Sequence, residues 1–215
     1  MHQLPKKVQP PSQFEKPAKE RMIEVADTLF RILGIRVADG LIAKEAHSSV
    51  EIFYKYFGNG EPLIGRFVKS LIAESESYWR GLAAEDENDP VAQLRKWLAY
   101  EGHQIGYMME PRVLLSRTAA ELFEIRKHQH PFLREIEEHW QAERRRVVGL
   151  CKAAKLRDPV ELADKLLLLV HGARNERGAY GSLKPSRLLQ QAGNEMMLAH
   201  GAADRPAIDP ITGQD

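Results

Sequence analysis

The sequence predicts an all-α fold, with a small N-terminal helical domain joined to a larger helical one. Three observations carry that expectation. Apolar residues recur at i, i+3 and i+4 along most of the chain, the spacing of a helix with one buried face. Proline stands just inside the start of successive periodic segments, at Pro111, Pro131, Pro159 and Pro185, where its fixed φ suits the first helical turn. No alternating strand pattern, hairpin signal or internal repeat interrupts them.

The bulk properties narrow the class. The chain has 215 residues, 43% hydrophobic and 28% charged, enough for a substantial core in an ordinary globular composition. The longest aliphatic run, Leu166 to Val170, falls far short of the ~20 apolar residues a membrane-spanning helix needs. The segment MHQLPKKVQPPSQFEKP has no apolar stretch of the signal-peptide kind, so a cytoplasmic location is expected. The single cysteine, Cys151, excludes an intrachain disulfide and lies in the apolar phase of a helix, where packing is its expected role. Net charge is +1; residues 1–60 hold nine Lys/Arg against seven Asp/Glu and the remainder 22 against 23, too weak an asymmetry to indicate nucleic acid by itself.

Residues 1–17 hold four prolines and little periodicity, the composition of a mobile arm. Met22, Val25, Ala26, Leu29, Phe30 and Leu33 then define an amphipathic helix that Gly34 stops. A short apolar segment, Leu41-Ile42-Ala43 with Ala46, is followed by the polar break His47-Ser48-Ser49. A second short helix passes through Ile52, Phe53, Tyr54 and Phe57, and Gly58-Asn59-Gly60 ends it. Residues 18–60 are thus expected to form one domain of three short helices. A connecting helix from Pro62 to about Trp79 opens the second domain, 61–200, and an acidic loop from Ala84 to Pro90 follows. Further helices are expected near 91–109, 112–127, 131–154, 159–179 and 185–200, with a disordered tail over 201–215.

Two short helices around a tight turn, supported by a preceding helix, make a helix-turn-helix. Its second helix must be apolar on one face to stay seated and exposed on the other to reach base edges. Phe53 and Phe57, four apart, fit the first demand; Ser49, Val50, Glu51, Tyr54 and Lys55 fit the second. Ile42-Ala43-x-x-Ala46, with Ser49 and Phe53-Tyr54-Lys55-Tyr56-Phe57, resembles the turn and recognition helix of the tetracycline-repressor (TetR) family. Arg21 to Gly34 resembles that family's first helix, Asn59-Gly60-Glu61-x-Leu63 the start of its fourth, and Leu156 to Ala173 its penultimate helix. The resemblance implies DNA contact by Ser49, Val50, Tyr54, Lys55 and Tyr56, with Arg36 and Lys44 as phosphate contacts; Glu51, facing outward, is a candidate contact to a cytosine amino group. Lys16, Lys19, Lys6 and Lys7 are further candidates. The family's turn Gly and Val are His47 and Ser48 here, its small Gly-Thr pair is Glu51-Ile52, and Asp39 stands where a helix cap is wanted.

For the C-terminal half the resemblance implies a small-molecule site and a homodimer. Glu101 and Gln104 on one helix, and His139 and Glu143 on another, are polar residues on otherwise apolar faces. One reading is a mostly apolar ligand pocket lined by Trp97, Tyr100, Tyr107, Met108, Phe123 and Trp140, oriented by those four polar groups. The other is that the polar groups pair with each other or with Arg112 or Arg117. The last two helices are apolar on more than one face, which suggests a four-helix dimer interface through Leu162, Leu166, Leu169, Ala173, Leu188, Ala192 and Met196. His128-x-His130 and His139-x-x-x-Glu143 lack a third ligand, so no metal or cofactor is expected, and no nucleophile elbow or phosphate loop points to an enzyme. The expected function is a ligand-responsive repressor, dimeric on a palindromic operator. The alternative is a protein of the same fold whose altered recognition helix no longer reads DNA and which works through protein or ligand contacts.

Overall fold

The computed structural model describes residues 16–86, 88–105, 109–126, 130–175 and 183–203; most of the expected arm and tail lie outside them. Within the described residues the secondary structure is helical, with no strand. The order is α1 (Ala18–Leu33), α2 (Asp39–Glu45), α3 (Val50–Phe57), α4 (Glu61–Glu85), α5 (Pro90–Gln104), α6 (Pro111–Arg126), α7 (Pro131–Ala153), α8 (Pro159–Asn175) and α9 (Leu183–Ala199). Among the described residues, no helix is long and apolar enough to cross a membrane.

The chain divides into two compact units, Met1–Ser70 and Leu71–Asp215. The division falls inside α4 rather than at Gly60. The reason is packing: Leu63, Phe67 and Val68 are buried, and the Phe67 ring meets Phe30 of α1 edge-on at 5.5 Å. The helix also runs on to Glu85, beyond the expected stop near Trp79, through Ala83, Ala84 and Glu85, all good helix formers.

In the first unit, α1 presents Met22, Ala26 and Phe30 to the core, and α2 contributes Ile42 and Ala43. The turn between α2 and α3 has a specific backbone solution. His47 takes a left-handed φ of 50°, and the Ser48 N–H donates to Ala43 O at 2.9 Å while the His47 N–H donates to Lys44 O at 3.0 Å. This crossed pair satisfies the last carbonyls of α2. Arg21 reaches over from α1, its Nε donating to Ala46 O at 2.9 Å. The next helix is capped at once: Ser49 Oγ accepts from the Ile52 N–H at 3.3 Å. Phe53 and Phe57 then seat α3, their rings 5.4 Å apart.

In the second unit, α9 packs on α5 and α8, while α7 packs on α5, α6 and α8. Two glycines permit the close approach of α5 and α9. A Cβ at Gly102 would lie 2.9 Å from Gln190 Nε2, and one at Gly193 would lie 2.6 Å from Leu98 Cδ1. Leu94, Trp97, Leu98, Val147, Leu162, Leu166 and Met197 form the center of the core. Cys151 is buried there, and burial pushes its thiol pKa up to about 11. Gly201 to Ala203 are not a loose tail. The Arg157 N–H donates to His200 O at 2.8 Å, and Arg95 holds Ala203 O at 2.8 Å, so the end of α9 is tied to the α7–α8 loop and to α5.

The left-handed backbone at His47 carries a steric cost that glycine would not incur. Replacing His47 with glycine is expected to stabilize the folded chain by about 1 kcal/mol. Urea unfolding, with the midpoint compared at constant slope, measures the gain.

Candidate functional site

The outward face of α3 and its surroundings hold the eight candidate DNA contacts. Arg36, Lys44, Ser49, Val50, Glu51, Tyr54, Lys55 and Tyr56 are all exposed. Ile52, which sequence reasoning treated only as a departure, is exposed beside them. Tyr54 is held in place from α2, where its hydroxyl hydrogen-bonds the Asp39 carboxylate; partial burial nevertheless raises the pKa of Asp39. Asp39 is therefore not the cap of α2. The capping position belongs to Ala38, which offers no side-chain bond, and Asp39 is the first helical residue. Ser49 also hydrogen-bonds Glu51, which holds that exposed carboxyl below its usual range. Lys16 is engaged by Glu24 at 2.6 Å, Lys19 is exposed, and Lys6 and Lys7 lie outside the described residues.

The second unit buries a chain of charges. Glu101 on α5 is fully buried, accepts a hydrogen bond from Arg174 of α8 and forms an ion pair with Arg112 of α6. Arg112 also meets Glu143 of α7 at 2.5 Å, and Arg174 stands 3.7 Å from Glu110. Glu110 has a second task, accepting the N–H groups of Arg112 and Val113 at 3.0 and 3.1 Å and so capping α6. Its burial raises its pKa. His139 Nδ1 lies 3.3 Å from Glu76 Oε1 on α4, and Glu76 also binds Arg146. Burial lowers the His139 pKa. The guanidinium groups of Arg112 and Arg146 each lie 5.7 Å from the Trp79 ring.

This arrangement separates the candidate ligand residues. Glu101 and Glu143 are paired with arginines in the charged core and His139 with Glu76, while Arg117 pairs instead with Glu121 within α6, at 3.8 Å. Gln104 hydrogen-bonds Tyr100, whose ring stacks on Tyr78 at 3.7 Å. Trp97 is buried and stacks on Trp79 at 6.1 Å. Trp140 is half-buried, and Tyr107 and Met108 lie outside the described residues. Phe123 is 43% exposed and does not join the buried group, because it falls on the outer side of α6. Sequence reasoning missed Glu76, Trp79, Glu110, Arg146 and Arg174. Arg174 had a faint signal, standing four residues after the buried Val170 on the same helical stripe.

The proposed dimer residues divide between two faces. Leu162 and Leu166 are wholly buried in the protomer's own core, so they are not available to a partner. Leu169, Ala173, Leu188, Ala192 and Met196 instead line an open apolar groove of about 680 Å³ on α8 and α9. Leu168, which was not anticipated, stands at its edge with 73% of its surface exposed.

No family model matches the sequence, and none of the curated proteins does. Solved structures do resemble it. A TetR-family transcriptional regulator from Streptomyces coelicolor superposes with a TM-score of 0.70 at 18% identity, over 85% of this chain and 95% of the other. The chain has the TetR fold. A transcriptional regulator from Saccharomonospora viridis in complex with choline gives 0.66 at 17% identity, over 87% and 98%. A TetR-family repressor from Thermus thermophilus in complex with lauroyl-CoA gives 0.54 at 20% identity, over 89% and 99%. In this TetR fold α2 and α3 are the helix-turn-helix pair, and the second half of α4 with α5 to α9 supplies the larger helical part.

Two consequences of the charged core are measurable. Glu101→Gln takes one of two carboxylate partners from each of Arg112 and Arg174, and should cost about 1–3 kcal/mol in denaturant unfolding. His139 binds a proton less readily folded than unfolded, so its contribution to stability is complete above the ordinary pKa of 6.5 and is lost as pH falls below it. In a His171→Gln background, which removes a second histidine lowered by burial, His139→Gln should flatten that acid-side loss. An unchanged slope would remove His139 as its source.

Proposed function

We propose that this chain is a transcriptional regulator of the TetR type, a repressor that binds a palindromic DNA operator as a homodimer and is released by a small-molecule effector. The observation that carries the proposal is α3: Phe53 and Phe57 seat one face, and Ser49, Val50, Tyr54, Lys55 and Tyr56 stand exposed on the other. That division of faces is what a recognition helix requires. The apolar groove on α8 and α9 supports self-association, since an exposed apolar surface of this kind marks a contact site. Two such protomers would place two α3 helices for the two half-sites of a palindrome. Choline and lauroyl-CoA in structures of the same fold support a small-molecule sensor, without identifying the effector here. An effector favoring a protomer shape with misplaced recognition helices would lower operator affinity by its differential affinity for the two shapes.

A second reading has its own observation. Glu51 is exposed in the first turn of α3, where a carboxylate repels phosphate, although it could accept from a cytosine amino group. On this reading the fold has been kept for protein or ligand contacts.

Selection of bound fragments from a genomic DNA pool separates the two. The regulator reading expects a palindromic site, bound by a dimer, with log affinity falling steeply against log salt. Leu168→Glu with Leu188→Glu should give monomers by light scattering and lose that site. Recovery of only weak, sequence-independent binding that rises in Glu51→Gly/Ile52→Thr would favor the second reading.

A further inference from the structure

A groove of about 390 Å³ opens on the second unit, where α4, α5 and α7 meet, away from the apolar groove on α8 and α9. Its volume lies within the range of small-molecule sites, and its lining is largely apolar. What distinguishes it is the sign of its unmet polar groups. Arg80 is exposed on its α4 wall and pairs with no carboxylate among the described residues. Arg146 of α7 gives one amino nitrogen to Glu76, while its other, Nη1, is buried with no hydrogen-bond partner. The indole Nε1 of Trp79, a residue only 6% exposed, is also buried without a partner. All three are donors. The groove's one carboxylate, Glu76, is already committed, Oε1 to His139 and Oε2 to Arg146. Two guanidinium groups thus line the groove against one committed carboxylate, a local excess of positive charge that an anion balances.

The walls add a shape. Trp79 and Leu150 offer apolar surface, and Gly149 opens the α7 side; a Cβ there would meet nothing within 4 Å. A glycine inside a helix weakens it, and here no close packing demands one. Its effect is to keep the groove wide.

We propose that this groove binds a small organic anion, a carboxylate or phosphate monoester carried on a flat apolar body. The anion meets Arg80 and Arg146, and the body lies against Trp79 and Leu150 beside Gly149. The site stands whether or not the chain binds DNA; only its use as the effector site rests on the regulator reading.

The test is made on the full chain without DNA, so that it fails or succeeds independently of that reading. Benzoate, phenyl phosphate, uncharged benzamide and cationic benzylamine are titrated by calorimetry, and the indole N–H signals of the three tryptophans are followed by NMR. Benzoate or phenyl phosphate should bind saturably and shift the Trp79 signal, at least about tenfold more tightly than benzamide, with benzylamine not binding. Arg80→Gln should weaken the anion about tenfold, Arg80→Lys should restore part of the loss, and Gly149→Phe should abolish binding. Both sites tolerate change, one being exposed and the other facing open space, and circular dichroism checks that each variant folds. The proposal is overturned if no anion saturates, if benzamide binds as well as benzoate, or if Arg80→Gln and Gly149→Phe leave the affinity unchanged.

Discussion

Three buried carboxylates meet two guanidinium groups in the second unit, and removing either guanidinium strands a carboxylate away from water. Glu101, Arg112, Glu143, Arg174 and Glu110 come from α5, α6, α7, α8 and the residue that caps α6. Apolar contacts alone allow helices to slide by part of a turn at little cost. A charged network does not, because each carboxylate must find its guanidinium within about an ångström of its place. The network therefore fixes the register of four helices, and the surrounding leucines fill the space it defines. Such pairing adds little net stability over an apolar core of the same shape; its contribution is specificity of arrangement.

The network also shows why the polar residues on apolar faces were legible in part. Glu101, His139 and Glu143 stood out because a buried polar group needs a partner, and helical spacing placed each of them inward. Periodicity cannot say whether the partner is a ligand or another side chain, since both satisfy the same donors and acceptors. Arg112 could be named as a partner. Arg174 and Glu110 could not, because one closes a long apolar helix and the other precedes a proline, positions where charge ordinarily meets water. The groove between α4, α5 and α7 left no sequence signal, since it depends on how three helices meet.

The α8 helix illustrates a different limit. Its run of leucines announced two apolar faces, but sequence alone could not say which face belongs to the protomer. Leu162, Leu166 and Val170, each four apart, face inward, while Leu168 lies two residues beyond Leu166, about 200° around the helix, and faces out. The choice is made by α7 and α5, whose packing covers the first stripe and leaves the second bare. The helix-turn-helix was easier to read because it is local. Its turn, its cap and its seating residues lie within about a dozen positions, and each has a sequence mark in His47-Ser48-Ser49 or Phe53 and Phe57.

That locality also explains how the departures at the turn are accommodated. His47 takes the left-handed backbone that glycine adopts without cost, and the crossed N–H bonds and the reach of Arg21 hold it there. Glu51 does not disturb α3. A carboxylate in the first turn favors the helix dipole, and Ser49 gives it a hydrogen bond while still capping the helix. The same charge that suits the helix repels phosphate, so local stability and DNA affinity pull in opposite directions at one residue. Lys44, Lys55 and Arg36 are exposed nearby and carry the opposite sign. On the proposed regulator reading, phosphate contacts by these three residues must outweigh one repulsion, a balance in which salt weakens attraction and repulsion together.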